Sequence, residues 1–179
     1  MVMFRRARQC LPMASLVASL GVSTPAAGEE PTIDHQPVIC SIPGRNARIC
    51  AQVLDDGEVK RVRTYFRAYR PDKKKGDSAF YFTAMAFDGI QYCATLPIAK
   101  KDRDLQYYIW AVDDQFDSTR TRNFDVSLAP EQSCAYPVVD DDPERTRNLT
   151  VNATSPDQGS KIKEFESSGI KSFVPVKKR

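Results

Sequence analysis

The sequence predicts an all-β protein, an immunoglobulin-like antiparallel sandwich of about seven strands with a disordered C-terminal tail. Three observations carry this expectation. Between residues 38 and 134 short apolar runs of strand length recur, separated by turn-forming clusters. No apolar period of about 3.6 residues persists anywhere in that span. From residue 135 onward the composition turns polar, rich in Pro, Ser and Asp and poor in large hydrophobes. The elements divide the 179 residues into a signal peptide (1–28), an N-terminal segment (29–37), the sandwich (38–134) and a flexible polar tail (135–179).

The first 28 residues read as an export signal. Arg5, Arg6 and Arg8 form a positive start, and residues 10–22 form an apolar run. That run is too short to cross a bilayer core of roughly 30 Å. Small residues follow, and cleavage is expected after Gly28, with Ala26 as a neighbouring site. Arg5-Arg6 is a poor twin-arginine match, and Cys10 precedes the apolar run, where no acylated lipoprotein cysteine stands. No later segment is apolar enough to span a membrane, so the expected location is secreted or periplasmic.

The strand candidates are 38–42, 47–54, 59–70, 79–87, 91–96, 105–112 and 119–127. The segments between them, among them "PGRN", "DDGE", "PDKKKGD" and "DDQFDS", are built from residues that favour turns. Asp88-Gly89 between two apolar runs is the strongest short hairpin signal. Seven short strands in about 95 residues fit a β-sandwich. In the tail, "NLTVNAT" could add an edge strand; its Asn148 and Asn152 sequons matter only in a host that glycosylates them.

Removing the leader leaves Cys40, Cys50, Cys93 and Cys134, enough for two disulfides in an oxidising compartment. No C-x-x-C occurs, so a dithiol redox motif or zinc knuckle has no support. In 47–54 the apolar set is Ala47, Ile49, Ala51 and Val53, which turns Cys50 outward. In 91–98 it is Tyr92, Ala94, Leu96 and Ile98, which turns Cys93 outward. If these strands are neighbours, Cys50–Cys93 is a cross-strand bridge and Cys40–Cys134 brackets the domain. The competing pairing is Cys40–Cys50 with Cys93–Cys134.

The charge distribution limits partners. The chain carries 26 Lys+Arg and 23 Asp+Glu, and the leader holds the whole excess. The body beyond it is neutral and offers no general attraction to nucleic acid or anionic lipid.

The stretches "VKRVRTYFRAYR", "FYFTAM", "DGIQYCATLP", "LQYYIWAVDD" and "TRTRNFDVSLAPEQSC" resemble a group of secreted bacterial immunoglobulin-like or fibronectin-III-like domains over roughly 38–134. The resemblance implies a fold and a compartment, with no reaction and no catalytic residue. It also implies that the cysteine after the last strand pairs with one in the first, which here means Cys134 with Cys40.

One surface stands out. In 59–70 one face is Val62, Thr64, Phe66 and Ala68, and the other is Arg61, Arg63, Tyr65, Arg67 and Tyr69. In 105–112 the inward set is Leu105, Tyr107, Ile109 and Ala111, which sends Tyr108 and Trp110 outward. If the two strands pair, as the third and sixth strands of such sandwiches do, these seven outward residues form one patch. Arg and aromatic residues are enriched in binding hot spots, so the expected function is a non-catalytic binding or structural module of the cell envelope, contacting a protein. A carbohydrate ligand lying on the exposed Tyr and Trp is the alternative. The competing structural reading is a ladder in which Arg stems merely cover aromatic rings.

Other clusters point to less. Asp113, Asp114 and Asp117, and separately Asp140, Asp141 and Asp142, match no calcium-loop spacing. Residues 73–75 and Lys100-Lys101 read as solvated turn tips, and the terminal "VPVKKR" carries too few charges for firm lipid binding. His35 has no triad partner near it in sequence. A carboxylate-only site using Asp113 and Asp114 would need adjacent strand residues, which point to opposite faces. No cofactor, metal or enzymatic activity is expected.

Overall fold

A computed structural model describes residues 28–72, 79–134, 139–158 and 162–177. The leader, apart from Gly28, lies outside the described residues, as do residues 73–75 and 178–179. The elements run in order β1 (Thr32–Asp34), β2 (Cys40–Ser41), β3 (Arg48–Leu54), β4 (Val59–Tyr69), β5 (Tyr81–Ala84), β6 (Ala86–Phe87), β7 (Tyr92–Thr95), β8 (Asp104–Asp113), β9 (Ser118–Arg120), β10 (Phe124–Leu128), α1 (Pro143–Arg147), β11 (Leu149–Ala153) and β12 (Ile170–Val174).

The strands form two sheets, with a four-stranded one in the order β1-β3-β7-β6. An eight-stranded one runs β12-β11-β5-β4-β8-β10-β2, with β9 also on β8. The orders β1-β3-β7-β6 and β5-β4-β8-β10 are those of an immunoglobulin sandwich, A-B-E-D against C′-C-F-G. The long strands β4 and β8 pair antiparallel from Val59↔Asp113 to Tyr69↔Asp104. Their period-2 alternation buries Val62, Thr64, Phe66 and Ala68 beside Leu105, Tyr107, Ile109 and Ala111. Ile49 and Ala51 of β3, Ala94 of β7 and Leu96 just beyond it supply buried side chains from the smaller sheet to the same core.

Both disulfides follow the nested pairing. Cys50 stands directly opposite Cys93 across β3 and β7 and is bridged to it. Cys40 in β2 is bridged to Cys134, 94 residues away. Closing a loop of that length removes about 4–5 kcal/mol of denatured-state entropy in the chain-entropy treatment.

The architecture departs from the sequence expectation in five places. The segment 29–37 is more than a lead-in, because β1 pairs with β3, Ile33 opposite Val53. The single strand expected at 79–87 is two strands in different sheets. Met85 is buried where the chain crosses over, and its N–H donates to the Val62 carbonyl at 3.0 Å. The Asp88-Gly89 signal produces a four-residue loop instead of a two-residue turn. The Asp88 carboxylate accepts the Ile90 and Gln91 N–H groups at 3.1 and 3.0 Å, while Gly89 takes the left-handed φ of +103°. The strand expected at 119–127 is interrupted, because the Thr121 hydroxyl replaces a backbone acceptor for the Ile109 N–H.

The fifth departure is a correction: the described part of 135–179 is no flexible tail. β11 pairs antiparallel with β5, Asn152 opposite Phe82, and β12 pairs parallel with β11. Leu149, Val151, Ala153 and Phe165 are buried. Phe165 meets the rings of Phe66 and Tyr81 edge-on at 5.4 and 6.0 Å and closes one end of the core. Asp142 caps α1 by accepting the Glu144 and Arg145 N–H groups, with Pro143 in the first turn. Arg145 in turn pairs with the buried Asp140, which also accepts from Thr95 of β7. Burial alone would raise the Asp140 carboxyl, but the hydrogen bonds from Arg145, Thr95 and the Asp142 N–H outweigh it and hold the group below its ordinary value.

Candidate binding face of the larger sheet

The outer face of the eight-stranded sheet carries the Arg and aromatic residues singled out from the sequence. Register places Arg63 opposite Trp110, Tyr65 opposite Tyr108 and Arg67 opposite Gln106. On the other flank of β4, Arg63 faces Ala84 and Tyr65 faces Phe82. Beyond β8, Trp110 faces Arg120 of β9. Six of the seven predicted residues therefore share one accessible surface: Arg61 is exposed, and Arg63, Tyr65, Arg67, Tyr108 and Trp110 are partly so.

Tyr69 is the exception. It stands on the same side of β4 but is only 6% exposed, with its hydroxyl 3.5 Å from the Asp125 carboxylate. Gln106 beside it is likewise buried, donating to Asp125 at 2.7 Å and accepting from Arg67 at 2.7 and 3.0 Å. This end of the face is a closed polar network.

Further along, the arginines lie over rings. Arg63 sits 4.3 Å from the Phe82 ring centre and 5.7 Å from that of Trp110. Arg67 lies 4.5 Å from Phe80, and Arg120 lies 4.0 Å from Tyr108. Tyr65 and Tyr108 are stacked with centres 4.8 Å apart and planes 3° apart. Each such cation–π contact contributes about 0.5–1 kcal/mol at an exposed site. Burial raises the Tyr108 phenol, with the neighbouring Tyr65 adding to the rise and Arg120 opposing it. Burial likewise lowers the Arg67 guanidinium.

Sequence reasoning missed Phe80, Phe82 and Arg120. The first two lie on a strand whose outward set it left unassigned, and Arg120 lies on a two-part strand whose phase shifts at its break. The alternation Phe80, Phe82, Ala84 against Tyr81, Thr83, Met85 was the available signal.

The other predicted candidates fall elsewhere. His35 reaches inward between β1 and the core, with Nδ1 2.7 Å from the Cys50 carbonyl and Nε2 2.7 Å from the Tyr107 hydroxyl. A carbonyl only accepts, so Nδ1 carries the proton and Nε2 accepts from Tyr107. The Tyr107 oxygen in turn accepts the Val38 N–H at 2.8 Å. Burial outweighs the favourable partners and lowers the His35 imidazole.

Asp113 is buried, accepting the Gln115 and Asp117 N–H groups at 2.8 and 2.9 Å, and so organises the β8–β9 turn. Among the described residues, no group of three or more His, Cys, Asp or Glu side chains could hold a metal ion. No described helix is long and apolar enough to cross a membrane.

Two larger clefts lie away from this face. One, of about 470 Å³, runs beside β7 beneath α1. The other, of about 740 Å³, separates residues 34–39 from β3. A hollow of about 230 Å³ lies at the β8–β9 end of the Arg and aromatic face itself, lined by Arg61, Trp110 and Phe116 among others. Compared with known proteins, the chain matches no family model and no curated relative.

Proposed function

We propose that this chain is a non-catalytic binding module, exported to a secreted or periplasmic compartment, whose partner is a protein of the cell envelope that docks on the outer face of the larger sheet. The observation that carries the reading is the concentration of Arg61, Arg63, Arg67 and Arg120 with Tyr65, Tyr108 and Trp110 on one side of a body whose charges sum to zero. Electrostatic attraction confined to one face orients an acidic partner without making the whole chain adhesive. The leader-like start and two disulfides support an oxidising destination.

A protein partner is preferred to a glycan because the ring faces are already used. Phe82, Phe80 and Tyr108 are each covered by an arginine. Such rings offer little platform for a sugar, while the arginine edges still donate to carboxylates.

The test keeps the fold and changes the charge. Ala84 is exposed and directly opposite Arg63, so Ala84→Glu places an acid beside the arginine without removing a packed group. Combined with Arg120→Glu it should abolish cross-linked capture of the envelope partner while shifting the melting temperature by only a few degrees. Capture that survives in a folded double variant would remove this face from consideration.

A further inference from the structure

Phe116 is 84% exposed at the tip of the β8–β9 turn, and its φ is +71°. Left-handed backbone is unfavourable for a bulky side chain, so an aromatic residue held there and pointed at water works against stability on two counts. The turn imposes the conformation. Asp113 grips the N–H groups on either side of Phe116, and the Asp113 N–H donates to the Asp117 carbonyl at 3.1 Å. A protruding apolar side chain on a backbone already held in place spares a partner the entropy of ordering that turn.

The hollow beside it is lined by Lys60, Arg61, Trp110, Val112, Phe116 and Ser118, with Asp113 behind. Arg61 differs from the other arginines of β4. Arg63 lies over Phe82 and Arg67 is bonded to Gln106, whereas Arg61 has neither an ion-pair nor a ring partner among the described residues. Lys60 has only Glu58, at 3.8 Å and largely solvated. Of the nearby acids, the Asp113 carboxylate holds backbone N–H groups, and Asp114 is exposed with its carboxylate beside Gly57 of the β3–β4 turn. The hollow is thus lined by an arginine without an ion-pair partner among the described residues and by two aromatic side chains. At about 230 Å³ it is smaller than small-molecule sites, which begin near about 300 Å³, and suits one side chain of a longer ligand.

We propose that this hollow is the recognition centre of the binding face, and that it takes a peptide segment of the partner protein in which an aromatic or large aliphatic side chain is flanked by a carboxylate. The apolar side chain fills the space between Phe116 and Trp110, and the carboxylate pairs with Arg61, whose planar fork matches it with two hydrogen bonds. This rests on the reading of the sheet face as a protein-docking surface and narrows it to a ligand chemistry and a place.

Trp110 is the only tryptophan in the chain, so its fluorescence reports on this hollow and the sheet face beside it. The full mature chain is titrated with Ac-Gly-Glu-Phe-Glu-Gly-NH2, and in parallel with the Gln-Phe-Gln and Lys-Phe-Lys analogues and with an oligogalacturonate. The expected result is a saturable change in Trp110 emission with the acidic peptide, at least tenfold weaker for the two analogues and absent for the sugar acid. Arg61→Gln and Phe116→Gly should each weaken it at least tenfold. Phe116→Gly should do so with an unchanged or raised melting temperature, because glycine adopts positive φ freely.

No response to the acidic peptide, an equal response to Lys-Phe-Lys or the sugar acid, or undiminished binding by folded Phe116→Gly would each overturn the proposal. The two readings fail separately. Envelope capture that is lost in Ala84→Glu/Arg120→Glu but kept in Phe116→Gly and Arg61→Gln leaves the face and removes the hollow.

Discussion

His35 shows how one side chain couples the N-terminal strand to the core. Its two ring nitrogens bridge the Cys50 carbonyl of β3 and the Tyr107 hydroxyl of β8, so it touches both sheets. The arrangement requires the neutral ring, because a proton on Nε2 would confront a hydroxyl that donates to it. With the native pKa below the ordinary value near 6.5, the unfolded chain binds more protons than the native one as pH falls under that value. Stability from this site is therefore complete above about pH 6.5 and declines as pH drops through and below it. Urea midpoints at pH 7.5, 6.5 and 5.5 should fall in that order for the wild-type chain. His35→Gln should start about 1–3 kcal/mol lower at pH 7.5 and lose most of the slope, since His35 is the only histidine. Flat wild-type midpoints would contradict the assignment. Nothing adjacent in sequence marks His35 for this role. Tyr107 lies 72 positions away, and only the sandwich brings the two together.

At the level of elements, β11 and the Phe165 segment complete a sandwich that 38–134 leaves open at one end. Phe165 is 2% exposed, and its neighbours anchor the chain in place: the Lys100 N–H donates to the Glu164 carbonyl and the Glu166 N–H to the Ile98 carbonyl. Tyr81 adds a bond from its hydroxyl to Glu164 at 2.9 Å, and burial pushes that phenol well up. Phe165→Ala should cost about 3–5 kcal/mol in denaturant unfolding. In limited proteolysis the wild-type chain should resist cleavage between residues 162 and 174, whereas the variant should be cut there. Early cleavage of that segment in the wild type would contradict the packing. The sequence concealed this because Leu149, Val151 and Ala153 alternate over only five residues, and Phe165 stands alone among polar neighbours. A single aromatic carries no period, so its burial becomes legible only when a cavity awaits it. The central strands were legible for the opposite reason. In β4 and β8 the alternation runs long enough to show both inner and outer faces, and the shorter alternation of β3 and β7 offered the Cys50–Cys93 bridge as one of two pairings.

For the molecule as a whole, the candidate face was half legible. Residues Arg61 to Trp110 emerge from strand phase alone, and their shared surface follows once two strands pair. The hollow could not be foreseen, because it depends on Phe116 and Arg61 meeting across a turn whose backbone sign no local pattern reveals. Neutrality of residues 29–179 also takes on a different meaning in three dimensions. Acids and bases balance along the chain, while four arginines gather on one side of the larger sheet.

The Cys40–Cys134 bridge has a mechanical consequence. A load applied between the two ends of the chain travels through the sulfur link and bypasses everything in between, including both long strands. Stretched by its termini under oxidising conditions, the protein should therefore yield extension only from residues outside 40–134, which include β1, β11 and β12. After reduction the chain between those cysteines, which stand 94 positions apart, becomes available, lengthening the contour by about 310–340 Å at roughly 3.3–3.6 Å per residue. Single-molecule pulling with and without reductant reads that difference directly. An oxidised chain that released the full length would place the link elsewhere. A protein fastened in this way keeps its two long strands, β4 and β8, out of the line of force while the link is intact.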